Sequence, residues 1–157
     1  AIICSQMLLI GAVNGASMTF DYKNQPDEYW RQHLTAEEYE ICRNHGTEYA
    51  GTGKYDKFYE KGIYYCTCCG KDFPLYSSET KFDSGTGWPS FYAPLPNAVT
   101  EQPDKQDVLL GAIGMARIEV LCERCGSHLG HVFDDGPKPT GKRYCMNSAA
   151  LAFKKEE

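Results

Sequence analysis

Three features of the sequence predict a mainly β fold whose sheets are tied together by a metal, with one or two short helices at the N-terminal end. Apolar and polar residues alternate around Ile63, Ile118 and Leu151; Gly, Pro and Asp punctuate the gaps between these segments; and four cysteines fall into two Cys-x-x-Cys pairs. With 157 residues and 42% hydrophobic content, the chain suffices for one core of ordinary size.

Taken in order, residues 1–19 form a separate segment and residues 20–157 the domain. The apolar run Met7 to Val13, followed by the small residues Gly15, Ala16 and Ser17, resembles the end of a secretory leader, although no basic stretch precedes it. The run is too short to span a bilayer, which takes about 20 apolar residues. A cytoplasmic location is the default expectation, and a secreted or periplasmic one follows if residues 1–17 are a leader remnant.

Thr35 followed three residues later by Glu38 is a capping box, in which each side chain satisfies a backbone donor left open at a helix start. Leu34 and Tyr39 fit the accompanying hydrophobic staple, and a helix over about Ala36 to Arg43 is expected to stop near Gly46. Beyond it the period shortens. Gly62 to Tyr65 leads as a strand into the first cysteine pair. Ala116, Ile118 and Val120 alternate with Arg117 and Glu119 before the second, and Ala149, Leu151 and Phe153 share one face of a last strand. Pro94 to Asp107, with three prolines among polar residues, reads as an exposed loop prone to local disorder.

The net charge of −5 argues against a nucleic-acid partner, since phosphate tracking needs a basic footprint. Of the eight cysteines, Cys66, Cys69, Cys122 and Cys125 have ligand spacing, and a glycine follows each pair, which lets the backbone fold back toward sulfur. Four thiolates at tetrahedral angles suit one structural Zn²⁺; two redox dithiols or buried thiols are the alternative. The pairs lie about fifty residues apart, so the metal would staple distant strands, with Cys68 a bystander.

The C-terminal third gathers His128, His131, Asp135, Arg143 and the lone Cys145 within twenty residues. A thiol attacks as thiolate, and a neighbouring Arg143 or imidazolium would lower its pKa. The histidines could be core residues or ligands, but four thiolates leave them no zinc, which favours acid–base work. Phe82 to Phe91 is a Gly-rich turn presenting Trp88; without a lysine it does not read as a phosphate loop, and Trp88 is either a core ring or a ligand-facing one.

Lys81 to Phe91, His128 to Pro137 and Arg143 to Leu151, together with the cysteine pairs, resemble the signature blocks of B-type methionine sulfoxide reductases over about Leu34 to Phe153. The resemblance implies two antiparallel sheets in an open β-barrel-like core. It implies reduction of the R epimer of methionine sulfoxide, free or in oxidised proteins, by an oxidoreductase expected to be monomeric. Cys145 would be the nucleophile, leaving as product a sulfenic acid that thioredoxin or another dithiol recycles. His128 and His131 would handle the sulfoxide oxygen, Trp88 and Phe133 would contact substrate, and Asp135, Arg143 and Asn147 would order the network.

One position departs from that pattern. Many members carry a resolving cysteine in the Gly-rich turn where this chain has Thr86. Cys42 is a candidate replacement, against the reading of a small buried residue; Cys4 is a weaker one, and direct reduction of the sulfenic acid is a third route. The rival from another class is a non-catalytic zinc-stapled β binding module, which would need the metal and an aromatic pocket but not Cys145 with its cationic neighbours. A thiol peroxidase is a second rival, lacking a use for Trp88.

Overall fold

The computed structural model describes residues 19–157, and the leader-like segment and Cys4 lie outside the described residues. Among the described residues two helices come first, α1 (Asp27–His33) and α2 (Ala36–Cys42). The α2 start bears out the capping box: Glu38 N–H donates to Thr35 Oγ1 at 3.2 Å, and Thr35 N–H to Glu38 Oε2 at 3.0 Å. In α1, Asp27 and Glu28 lie in the first turn and Arg31 and His33 in the last, complementing the helix dipole. The helices bury Trp30, Tyr39, Ile41 and Cys42.

Nine strands follow in two antiparallel sheets. In the three-stranded sheet, β1 (Gly62–Cys66) lies between β2 (Pro74–Ser77) and β9 (Leu151–Lys155). The six-stranded sheet is built from β3 (Lys81–Phe82), β4 (Ser90–Phe91), β5 (Val99–Pro103), β6 (Ile118–Cys122), β7 (His128–Phe133) and β8 (Arg143–Met146). Its order is β3-β4-β8-β7-β6-β5. The mainly β class with a four-cysteine cluster is as predicted, and the barrel stays open. Aromatic rings fill the space between the sheets: Phe91 of the larger stacks on Tyr76 at 4.4 Å and meets Tyr64 edge-on at 5.1 Å.

Three local expectations need correction. Pro94 to Asp107 is not a structureless loop, because it carries β5, whose whole length pairs with β6, and the buried Asp104 directly follows that strand. Ala149 belongs to a 3₁₀ turn over Ser148–Ala150, so the last strand begins at Leu151. The second cysteine strand begins at Ile118 rather than Ala116. A third helix, α3 (Val108–Ala112), has no counterpart in the sequence reading: Val108 and Leu109 are exposed, so it has no buried face to set a period.

β7 contains the irregularity that shapes the site. Val120 pairs with Gly130 and Leu121 with His128, which leaves Leu129 as an extra residue. Residues three apart on a regular strand point to opposite faces; one inserted residue returns them to the same face. His128 and His131 therefore meet, with ring centroids 5.3 Å apart.

Candidate functional site

Cys66 and Cys122 end β1 and β6, one in each sheet, and Cys69 and Cys125 sit in the turns that follow. Gly70 and Gly126 have φ of 78° and 72°, the left-handed backbone that glycine adopts without penalty. All four sulfurs lie within 4.8 Å of one another, with Cys66 to Cys125 at 3.7 Å and Cys69 to Cys122 at 3.5 Å. Tetrahedral thiolates on zinc, at bonds of about 2.3 Å, stand about 3.8 Å apart. The buried cluster thus fits a metal ion of that size, joining the two sheets at the point where it lies.

A single rung across the six-stranded sheet carries the remaining chemistry. Gln102 of β5 faces Glu119 of β6, Glu119 faces His131 of β7, His131 faces Cys145 of β8, and Cys145 faces Ser90 of β4. Directly opposed residues share a face, so these five side chains lie in one row. Gly130 permits it: a Cβ there would strike the Cys145 carbonyl oxygen and come within 2.9 Å of Met146 Cα.

Above the row lies a pocket of about 260 Å³, lined by Thr47, Thr86, Trp88, Arg117, Gly130, His131, Phe133, Arg143, Cys145 and Asn147. Trp88 is held by its indole N–H, which donates to the Glu48 carbonyl at 3.0 Å. Asn147 is tied between the Glu48 N–H and the Leu129 carbonyl, both at 3.0 Å, so it braces the wall it lines. Arg143 is clamped in parallel by Asp135 at 2.9 and 3.1 Å and stacks over Phe133 at 4.3 Å. Asp135 itself is exposed and acts on the pocket only through Arg143. A larger cleft of about 530 Å³ beside Glu48 and Lys54 contains neither cysteine nor histidine.

The thiol of Cys145 does not rest in the state the sequence suggests. Burial pushes its pKa up, outweighing Thr86, Arg143 and Ser90, which favour the thiolate. The expected imidazolium is also unsupported at His131, where burial holds the pKa below its ordinary value against the pull of Asp104. A protonated thiol beside a neutral imidazole is the resting arrangement.

Of the sequence-selected residues, Trp88, His131, Phe133, Arg143, Cys145 and Asn147 line the pocket together. His128 is fully buried behind His131, and its Nε2 has no hydrogen-bond partner. Cys42 is 1% exposed, packs beside Cys68 rather than at the pocket, and has its pKa raised by that neighbour and by burial. Two carboxylates escaped the sequence reading: Asp104 accepts from His131 Nε2 at 2.6 Å, and Glu119 from His128 Nδ1 at 2.7 Å. Asp104 lies 27 residues before His131 and Glu119 nine before His128, and no local pattern points to either.

Residues 34–155 match the SelR domain model. The chain is 51% identical over 138 residues to a protein of Teredinibacter turnerae called peptide methionine sulfoxide reductase MsrB, covering 87% of this chain and 96% of that one. It is 57% identical over 125 residues to a protein of the same description from Pseudomonas syringae pv. syringae, covering 79% and 89%. It is 55% identical over 131 residues to the chloroplastic peptide methionine sulfoxide reductase B1 of Oryza sativa subsp. japonica, covering 83% of this chain and 58% of the longer plant protein.

Proposed function

The chain belongs to the SelR family of B-type methionine sulfoxide reductases, oxidoreductases of methionine sulfoxide, and from that premise we propose that Cys145 reduces the R epimer, free or in oxidised proteins, by way of a sulfenic acid. The observation that carries the reading is the direct pairing of Cys145 with His131 beneath a pocket walled by Trp88.

The chemistry balances from the resting thiol. The sulfoxide methyl lies against the Trp88 ring, and its oxygen is turned toward His131. His131 takes the Cys145 proton and passes it to the sulfoxide oxygen as sulfur attacks sulfur. The oxygen moves to Cys145, which is oxidised by two electrons, and methionine leaves reduced: Cys–SH and R₂S=O give Cys–SOH and R₂S. Arg143, fixed by Asp135, stabilises the transient thiolate, and His128 backs His131.

A dithiol such as thioredoxin then attacks the sulfenic acid, releasing water and forming a mixed disulfide that its second thiol resolves. Among the described residues no other cysteine lines the pocket, and Thr86 Oγ1 stands 3.7 Å from Cys145 Sγ where a resolving thiol would sit. Among the described residues recycling thus falls to an external thiol, Cys42 being too deeply buried to serve without local opening. Zn²⁺ held by Cys66, Cys69, Cys122 and Cys125 would tie the two sheets and take no part in the reaction.

The test is to offer each sulfoxide epimer with dithiothreitol. Consumption of the R epimer, abolished by Cys145→Ser with fold and zinc content retained, is the expected result; retained turnover in that variant would remove Cys145 as nucleophile.

A further inference from the structure

Glu119 belongs to the polar face of β6, and that face is buried, not wet: the side chain is 1% exposed. Its Oε1 meets Nδ1 of His128 at 2.7 Å and Nδ1 of His45, and its Oε2 accepts from Gln102 Nε2 at 3.1 Å. Burial alone would protonate the carboxyl, yet the hydrogen bonds from His128, Gln102 and His45 outweigh it and hold the pKa at about 2. An ionised carboxylate only accepts, so both imidazoles must present Nδ1–H to it. In a neutral His128 the acceptor atom is then Nε2, the buried nitrogen that has no partner. Leaving such an atom unpaired is costly unless it has a use.

His45, Glu119 and His128 are also a possible metal set, but their spacing speaks against it. Two ligands on one zinc, at bonds of about 2.0 Å, stand about 3.3 Å apart. The 2.7 Å between Glu119 and His128 is a hydrogen-bond distance. His45 adds a second sign of purpose: it is held at φ 57°, in the left-handed region, with about a third of its side chain exposed at 34%. Its ring centroid is 5.4 Å from that of His128.

We propose that Glu119 is a positioning residue of the reductase site: it locks His128 in the Nδ1–H form, so that Nε2 is left as the acceptor nitrogen of the ring packed 5.3 Å from the His131 ring and supports His131 as that residue moves the proton, while His45 completes the carboxylate's shell at the solvent side. The charged and titratable groups that face His128 are Glu119 from β6, His45 from the segment after α2 and His131 from its own strand, with Asp104 beyond His131. The inference rests on the sulfoxide reductase reading.

Ring ¹⁵N spectra of the whole chain, with steady-state kinetics on R-methionine sulfoxide and dithiothreitol, test it. The wild type should show His128 in the Nδ1–H form. In Glu119→Gln the amide can donate as well as accept, so the ring should populate both tautomers. There kcat should fall by about tenfold to a hundredfold, with KM and zinc content unchanged. His45→Gly suits the left-handed backbone and so guards against misfolding; it should lose less kcat and regain it with free imidazole. Wild-type kcat in a folded Glu119→Gln, wild-type kcat in His45→Gly, or an Nε2–H form of His128 in the wild type would each overturn the proposal. A wild type inactive on both sulfoxide epimers would overturn the reductase reading instead, and the tautomer measurement would still decide the positioning.

Discussion

Replacing Thr86 by cysteine should let Cys145 form an internal disulfide. Thr86 Oγ1 is 3.7 Å from Cys145 Sγ, and a disulfide needs about 2.0 Å, so the turn must close by about 1.7 Å. Gly85 and Gly87 flank the position with φ of 71° and 90°; a Cβ at Gly85 would meet nothing within 4 Å, whereas Gly87 is packed against Ala50 and Gly51, so the closure falls on the Gly85 side. The bridged residues are 59 apart in sequence. The chain-entropy model gives about 4 kcal/mol for a loop of that size, and at about 2–4 °C per kcal/mol this corresponds to a Tm rise of about 8–16 °C, less any strain. The assay is one equivalent of methionine sulfoxide without reductant, followed by dimedone and intact mass. Wild type should carry a dimedone adduct on Cys145. Thr86→Cys should carry none, should lose two hydrogens, and should melt higher until dithiothreitol is added. A variant that keeps the adduct and forms no cross-link would show that Cys145 is not oxidised within reach of this turn.

Other substitutions probe the same row of side chains. Gly130→Ala places a methyl against the Cys145 carbonyl; about 1–3 kcal/mol of overpacking should lower Tm, and a shift of about 1 Å at the nucleophile should cost about a hundredfold in kcat/KM, so wild-type values for both would refute the close approach. Arg143→Met removes a charge that favours the thiolate, so the Cys145 pKa, already raised by burial, should rise further. The iodoacetamide alkylation curve should then move to higher pH and slow at neutrality, and an unmoved curve would separate Arg143 from the thiol. Strong chelation should unfold the domain rather than merely inhibit it, because the binding free energy of a metal held by the four cysteines would be folding free energy; circular dichroism that survives complete zinc removal would contradict a structural role.

The parts of the site legible in the sequence are those in which one short stretch contains the whole signal. Thr35 and Glu38 name a helix start, Cys66 with Cys69 and Cys122 with Cys125 name half-sites, and Trp88 and Cys145 stand out as solitary residues in dense motifs. Asp104 and Glu119 were not legible because their meaning lies across strands: Asp104 meets His131 27 residues on, and Glu119 meets His45 74 residues back. Period counting did find the alternation of Arg117 and Glu119 with Ile118 and Val120. It assigns polar residues to water by default, and here Glu119 is buried against the histidines. Three hydrogen-bond donors offset the cost of burying the Glu119 charge.

The four-cysteine cluster occupies the end of β6 and the turn that leads into β7, next to Glu119 and the two histidines, which bears on how the fold places the site. Cys122 ends β6 three residues after Glu119, and Cys125 precedes His128 by three. The turn between them fixes where β7 starts, Gly126 N–H donating to the Cys122 carbonyl at 2.8 Å and Cys122 N–H to the Ser127 carbonyl at 2.9 Å. Moving that start by one residue would flip every β7 side chain to the other face and carry His131 away from Cys145. The Leu129 bulge then decides that His128 and His131 point the same way. The cysteine turn thus sets the register of the strand that places both imidazoles, and a metal held by the four cysteines would fix that register without touching the pocket.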